Sequence, residues 1–163
     1  MVFLFTWALG LVVAALHVLI RRSRFGRRQV IETFLVYQFV FGLGLAGLVG
    51  FMGHALNPVE TARGIGWPPA PQFQFELAAF EIGFALAAFL CVFIRNKHYW
   101  LGVAIAPAVF FLLAAVQHVY DAATTGNLAP YNVLIVLPDV LIPLTILVLL
   151  AWYFRVEAQT LAE

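Results

Sequence analysis

The stretch RRSRFGRR (residues 21–28) separates two long apolar runs and carries five of the nine Lys and Arg residues of the chain. Outward from it, the apolar runs predict five membrane-spanning helices at about residues 2–20, 29–52, 75–94, 99–120 and 131–154. Each run is close to the roughly 20 apolar residues that a helix needs to cross the hydrocarbon core of a bilayer. We therefore predict an all-α integral membrane bundle in which residues 1–163 form a single membrane domain.

The composition agrees with a membrane protein. Of the 163 residues, 64% are hydrophobic and only 10% are charged, whereas soluble domains are about 25% charged. The mean hydropathy is +0.97. The apolar runs are too long for barrel strands and lack their alternation of polar and apolar residues, so helices are the spanning structure that satisfies the backbone.

The distribution of cations predicts the orientation in the membrane. Eight of the nine Lys and Arg residues fall on one side of the five spans: the five of residues 21–28, then Arg95, Lys97 and Arg155. Cytoplasmic loops of membrane proteins are enriched in these residues. We therefore expect an inner (plasma) membrane protein with its N-terminus outside and its C-terminus in the cytoplasm. Contact with the lipid bilayer explains the basic run, and no nucleic-acid partner is expected.

Small residues predict how the second span packs. Five glycines recur along it: Gly42, Gly44, Gly47, Gly50 and Gly53. In membranes such a stripe permits close approach of helices. The partner helix lies within the bundle or in another subunit, so a homo-oligomer or a larger membrane complex stays open. In the following loop, Asn57 and Pro58 predict the cap and first turn of a short helix that ends at about Arg63.

Two acidic residues lie deep inside predicted spans. Glu81 and Asp139 are about 9 and 12 Å from the outer boundary at about 1.5 Å per residue. An acid at mid-helix costs about 2.5–3.5 kcal/mol on insertion scales, so each is a candidate functional residue. Gln74 and Asn132 each precede one of these acids by seven residues and therefore share its helix face. The spacing predicts a polar layer that points into the bundle.

Further polar residues lie at the outer ends of two spans. Gln117 and His118 end the fourth span, and His54 ends the second. We predict an outward-facing pocket for a small ligand, with these three side chains at its rim and Glu81 and Asp139 at its floor. Other chemistries compete for these residues: a structural hydrogen-bonded network, a proton or cation pathway, a carboxylate metal site, or a haem held by His54 and His118.

Other catalytic signatures are missing from the sequence. It contains no nucleophile triad motif, no phosphate-binding glycine loop and no dinucleotide fingerprint. The single cysteine, Cys91, excludes an internal disulfide and a Cys-x-x-Cys redox pair.

One part of the chain resembles a known family. The segment GHALNPVETARGIGWPPAPQFQFELAAFEIGFALAAF (residues 53–89) contains IGWP (residues 65–68) and is followed by Gln117-His118, Asn127 and Pro138-Asp139. Together these resemble the DoxX-like superfamily of small membrane proteins, from about residue 29 onward. The resemblance implies a four-helix core to which the first span is added. Through relatives linked to thiosulfate–quinone chemistry it also implies a redox accessory role, without carrying over any catalytic residue.

These observations lead to a functional expectation. We expect a non-catalytic or accessory membrane protein with an outward-facing polar pocket for a small ligand, for which a quinone is a candidate. The alternatives are a proton-coupled small transporter or channel, a haem- or metal-binding redox protein, and a structural subunit of a larger complex.

Overall fold

The structure, a computed structural model, describes residues 1–160 and contains no strand within them. Its helices are α1 (Val2–Arg21), α2 (Arg27–Tyr37), α3 (Ala46–Leu56), α4 (Pro58–Ile65), α5 (Pro71–Leu90), α6 (Lys97–Thr125), α7 (Pro130–Leu134) and α8 (Val136–Thr160). A π-helical segment, Gln38–Leu45, joins α2 to α3 without a break in the chain direction. The predicted all-α class is therefore confirmed.

Five helical stretches are long and apolar enough to cross a membrane, as predicted. They are Val2–Arg21, Arg27–Leu56, Pro71–Leu90, Lys97–Thr125 and Pro130–Gln159. The third differs most from its predicted bounds, because it begins at Pro71 rather than at residue 75 and ends four residues earlier. Proline suits the first turn of a helix, because backbone N–H groups there have no partner within the helix and the N–H that proline lacks is not needed. The multi-pass arrangement follows from the length and composition of these helices.

Three of the five glycines of the second span form a packing surface against α5, whereas Gly42 faces Ile142 of α8. A Cβ atom at Gly44 would lie 2.8 Å from Cδ1 of Phe89, and one at Gly47 would lie 3.0 Å from Cζ of Phe84. Such distances are shorter than van der Waals contact, so only glycine lets the two helices approach this closely.

The first span lies on the outside of the bundle. Its buried residues are Thr6, Gly10 and Ala14, which form a single stripe at four-residue spacing. Hydrogen bonds inside the apolar zone attach it: Gln38 Nε2 donates to the Trp7 carbonyl at 3.1 Å, and Trp7 Nε1 donates to Thr145 Oγ1 at 3.1 Å. The first span is therefore joined to both the second and the fifth.

Ion pairs connect the helix ends at one end of the bundle, which we call the basic end. Glu157 of α8 forms an ion pair with Arg28 Nη2 of α2 at 3.3 Å and another with Lys97 of α6. Arg95, just after α5, pairs with Glu32 of α2 at 3.2 Å. The opposite end, which we call the distal end, carries α4 and the links around it.

Two spans depart from regular α-helix. The second contains the π-helical segment, and the fifth is interrupted at Ile135, between α7 and α8. Pro138 lies one turn after Leu134 and supplies no N–H for its carbonyl, which accounts for the interruption. The short helix predicted after Asn57 is α4, but Asn57 makes no side-chain hydrogen bond at its N-terminus. The expected side-chain cap is therefore absent.

Candidate functional site

Three predicted site residues, His54, Gln74 and Glu81, lie in contact near the distal end. Asp139 lies within electrostatic range of Glu81, and we call these four side chains the inner polar cluster. Glu81 is 6% exposed, Asp139 4% and Gln74 1%. His54 Nδ1 is hydrogen-bonded to Gln74 Oε1, and His54 Nε2 lies 3.8 Å from Glu81 Oε1. Three spans, the second, third and fifth, therefore contribute side chains to a single buried site.

A glycine makes room for the buried acid. A Cβ atom at Gly50 would overlap the carboxyl group of Glu81, whose Cδ would be only 2.7 Å away. The Glu81 carboxyl group therefore rests against the backbone of α3. The glycine stripe thus makes room for Phe84 and Phe89 nearer the basic end and for the Glu81 carboxyl group nearer the distal end.

The hydrogen bonds indicate where protons reside on the imidazole. The Gln74 carbonyl oxygen can only accept, so His54 Nδ1 is the donor in that bond. In the neutral ring, Nε2 then carries a lone pair that points toward Glu81. A proton can reside on the Glu81 carboxyl group or on His54 Nε2, and this pair therefore has the chemistry of a proton donor and acceptor.

One oxygen of Glu81 has no partner. Its Oε2 atom is fully buried and makes no hydrogen bond within residues 1–160. Leaving such an oxygen unsatisfied costs about 1–3 kcal/mol. The unsatisfied atom marks a position where a donor would be favourable.

The second acid lies within electrostatic range of the first. Asp139 interacts electrostatically with Glu81, and it stands in the first turn of α8, just after the interruption at Ile135. Two carboxylates that share a site of low dielectric cannot both ionise cheaply. The cluster is therefore expected to hold at least one proton or a bound cation.

His118 and Asn132 lie in a separate group of polar side chains, the loop network, which also includes Trp67, Asp121 and Asn127. His118 Nδ1 is hydrogen-bonded to Asn132 Oδ1 at 2.8 Å. Asn132 Nδ2 in turn donates to the backbone oxygens of Asn127 at 2.9 Å and His118 at 3.3 Å. Trp67 stacks on the His118 ring, with centroids 5.5 Å apart and planes 14° from parallel. The imidazole ring of His118 is thus fixed by the stacked Trp67 ring on one face and by Asn132 at Nδ1.

The rest of the loop network fastens the links at the distal end. Asp121 Oδ2 accepts from Trp67 Nε1 at 3.0 Å and from Asn127 Nδ2 at 2.6 Å. Asn127 Nδ2 also donates to the Ile65 carbonyl at 2.9 Å. Because most of these polar atoms are satisfied by protein partners, we interpret the loop network as a structural feature.

The structure therefore divides the residues predicted for one pocket. His54, Gln74, Glu81 and Asp139 come together, His118 and Asn132 belong to the loop network, and the side chain of Gln117 is exposed on the other face of α6. Neighbouring helix positions point about 100° apart, so Gln117 and His118 cannot share a face. Gln117 was predicted to lie beside His118 at the pocket rim; its side chain is exposed and that of His118 is buried, so the two do not line one surface. The acids themselves form a buried cluster rather than the floor of an open pocket.

The metal and haem alternatives find little support in this geometry. Within residues 1–160, no group of three or more His, Cys, Asp or Glu side chains is arranged to hold a metal ion. His54 is engaged by Gln74, and His118 is engaged by Asn132 and covered by Trp67. Both imidazoles are therefore already engaged by protein side chains.

Two buried polar residues, Thr6 and Gln38, were not predicted from the sequence. Gln38 lies in the π-helical segment, is fully buried, and leaves its Oε1 without a partner. A lone amide inside an apolar run is visible in the sequence and is the signal that would have identified it. The contact of Trp67 with Asp121 had no such signal, because 54 residues separate them.

The fold and the inner polar cluster define a small multi-pass helical membrane protein with a protonatable site inside its bundle. The chain belongs to a family of unknown function (DUF6790), whose model matches residues 1–159. The match includes all five spans. No curated protein and no solved structure matches the chain.

Proposed function

We propose that this protein is a non-catalytic membrane protein whose inner polar cluster binds a small ligand and exchanges a proton with it. The observation that carries the proposal is the buried Glu81 Oε2 atom, which lacks a hydrogen-bond partner beside a second acid. A ligand that supplies a donor there removes an unfavourable term of about 1–3 kcal/mol.

The charge distribution supports entry from the outer side of the plasma membrane. The basic end carries eight of the nine Lys and Arg residues, and the positive-inside tendency makes that end cytoplasmic. The inner polar cluster then lies in the outer half of the bilayer, with the N-terminus outside. A ligand would enter by movement of the second span, which contains the π-helical segment, and of the interrupted fifth span.

Each residue of the cluster has a distinct role in this proposal. Glu81 accepts or donates the exchanged proton, and His54 Nε2 is its alternative location. Gln74 orients the imidazole through Nδ1. Asp139 supplies a second acceptor for a ligand that carries two donors or a positive charge.

The resemblance to DoxX-like proteins adds a candidate ligand class. Relatives linked to quinone chemistry make a quinone headgroup the first compound to test. The hydroxyl groups of a reduced quinone are donors that suit the unpartnered carboxyl oxygen.

The test uses two glutamates of the same helix. Wild-type protein, Glu81→Gln and Glu76→Gln are purified in mild detergent, their bound small molecules are identified by mass spectrometry, and each is titrated with ubiquinol-1. Glu76 is exposed on α5 and serves as the matched control. We expect Glu81→Gln to weaken binding about tenfold or more, since a hydrogen bond to a charged group contributes about 1.5–3 kcal/mol, and to abolish the accompanying proton exchange.

Glu76→Gln should bind as the wild type does. A wild-type protein that retains no small molecule and does not bind ubiquinol-1 would count against a quinone. Equal binding by Glu81→Gln and the wild type would remove Glu81 from the site.

A second candidate function, a proton-coupled carrier, is favoured by the irregular spans. The acids lie beside an interrupted helix, and discontinuous helices mark the binding sites of many transporters. The ion pairs of Glu157 close the opposite end of the bundle. In this candidate the cluster carries the coupling proton.

Proton flux separates the carrier from the ligand-binding protein. Wild-type protein, Asp139→Asn and Glu76→Gln are each placed in proteoliposomes with a trapped pH dye. If the protein is a carrier, the wild type should dissipate an imposed pH gradient. Asp139→Asn should lose this proton flux because the amide cannot bind the proton, and Glu76→Gln should retain it. Wild-type vesicles no leakier than protein-free ones would exclude uncoupled proton flux, and an unchanged rate in Asp139→Asn would remove Asp139 from the pathway.

A further inference from the structure

A groove of about 620 Å³ lies between α5 and α6, away from the inner polar cluster. Small residues form its sides, with Ala79, Gly83 and Ala87 on α5 facing Gly102 and Ala106 on α6. Apart from the adjacent residues and backbone of the same helix, no atom lies within 4 Å of the position that a Cβ atom would occupy at Gly83 or at Gly102. The groove is therefore open space that no side chain of the described residues fills.

The groove occupies one half of the bundle. Toward the middle of the spans it is limited by the rings of Phe80 and Phe110, whose centroids are 5.1 Å apart. Near the basic end, Tyr99 Oη donates to the Ala87 carbonyl at 3.0 Å and links the two helices again. From Ala79 to Ala87 a helix rises about 12 Å, which is less than half of the roughly 30 Å hydrocarbon core.

The lining determines what can occupy this space. Its floor is aromatic, with Phe84 packed edge-on against Phe111 at 5.5 Å, and nearly all of its surface is apolar. Water is excluded from a site of this kind at membrane depth, so an apolar chain must fill it. An α-helix of a second copy, about 10–12 Å across with its side chains, is too wide to enter between helices that touch at both ends of the groove.

The charges at one end select the headgroup. His98 lines the groove at the basic end, next to Lys97 and close to Arg95. That end carries eight Lys and Arg residues, against Glu32 and Glu157 among residues 1–160. Basic pockets between membrane helices favour anionic lipid headgroups.

We infer that the groove between α5 and α6 binds one acyl chain of an anionic phospholipid, whose phosphate headgroup lies beside His98 at the basic end. The lipid belongs to the leaflet on that side. The bilayer provides no hydrophobic driving force that would hold the lipid in the groove. The lipid is therefore retained by packing of its acyl chain against the aromatic floor and by contact of its phosphate with the cations.

The first experiment uses the wild-type chain. It is reconstituted in phosphatidylcholine vesicles that contain phosphatidylglycerol with a diazirine on its acyl chain, illuminated, digested and mapped by mass spectrometry. We expect the label to concentrate on residues 79–87 and 99–107. Labelling spread evenly over all lipid-facing helices would overturn the inference.

The second experiment compares two substitutions on α6. Gly102→Phe fills the groove, whereas Val109→Phe adds bulk to a side chain that is 54% exposed and does not line it. In native mass spectrometry we expect the wild type and Val109→Phe to retain one phosphatidylglycerol and Gly102→Phe to lose it, with all three proteins monodisperse. Retention of the lipid by Gly102→Phe would overturn the inference.

Two further outcomes of the second experiment also test whether an anionic lipid occupies the groove. A lipid-free wild-type dimer that Gly102→Phe dissociates would show that a second copy occupies the groove, which overturns the proposal. Equal retention of phosphatidylcholine and phosphatidylglycerol would overturn the assignment of an anionic headgroup. A clear preference for phosphatidylglycerol supports it.

Discussion

At the residue scale, the pairing of Gly50 with Glu81 explains how a carboxyl group is accommodated between two apolar helices. The carboxyl group occupies the space where any other residue of α3 would place a Cβ atom. Its Oε1 atom faces His54 and its Oε2 atom is left without a partner. The small size of one residue thus sets the position of the Glu81 carboxyl group.

Substitution of Gly50 tests this dependence. Gly50→Ala should lower the melting temperature in detergent, since overpacking of a filled site costs about 1–3 kcal/mol. Gly53→Ala is the matched control, because its Cβ would meet only Thr61 Oγ1 at an ordinary 3.5 Å. Adding Glu81→Ala to Gly50→Ala should restore part of the loss. Identical melting temperatures for the two alanine variants would contradict the assigned contact.

At the element scale, the distal links are held by side chains rather than by secondary structure alone. Asn127 connects the link between α6 and α7 to the end of α4, through its bonds to Ile65 and Asp121. Its Oδ1 atom also accepts from the Ala129 backbone N–H at 3.1 Å. Asn127 therefore helps to hold α4 over the bundle, together with the bonds of Trp67 to Asp121 and of Thr61 to the Gly53 carbonyl.

Two asparagines near α4 allow a matched comparison. Asn127→Ala should destabilise the protein by about 1–3 kcal/mol, because it leaves backbone and carboxyl partners unsatisfied, and should expose the distal links to limited proteolysis. Asn57→Ala should have little effect, since Asn57 makes no side-chain hydrogen bond at the N-terminus of α4. Similar cleavage rates in the two variants would contradict the assigned role of Asn127.

At the scale of the whole molecule, the two ends of the bundle are secured by different forces. Neutral and charge-assisted hydrogen bonds hold the distal end, whereas Glu157 holds the basic end through Arg28 and Lys97. Arg28 also donates to Tyr153 Oη at 2.7 Å from Nη2. The second, fourth and fifth spans are thereby joined at a single carboxylate.

Removal of this carboxylate should have a salt-dependent effect. Glu157→Gln should lower stability by up to about 1 kcal/mol, the usual limit for ion pairs that stay partly in contact with water. The difference from wild type should shrink as NaCl screens the pairs. Glu60→Gln is the control, because Glu60 pairs with Arg63 of its own helix, α4, and so joins no two spans. A loss that is independent of salt in thermal unfolding would argue against an electrostatic origin.

The spans and their number could be predicted because each depends on a local property. A run of about 20 apolar residues has one stable arrangement in a bilayer, whatever its neighbours. The acids Glu81 and Asp139 could be singled out for the same reason, since a carboxyl group within such a run is anomalous by itself. The packing role of the glycines also followed, because small residues have few other uses in a spanning helix.

The division of the polar residues into two groups was decided by the tertiary structure. Gln117 and His118 are equally polar and adjacent, and only the rotation of α6 against α8 determines which of them is buried. Because both the lipid-facing and the core-facing sides of a spanning helix are apolar, the sequence provides no reference direction for that rotation. Sequence therefore determined the spans, their basic end and the depth of the acids, whereas packing between distant helices determined which side chains meet them.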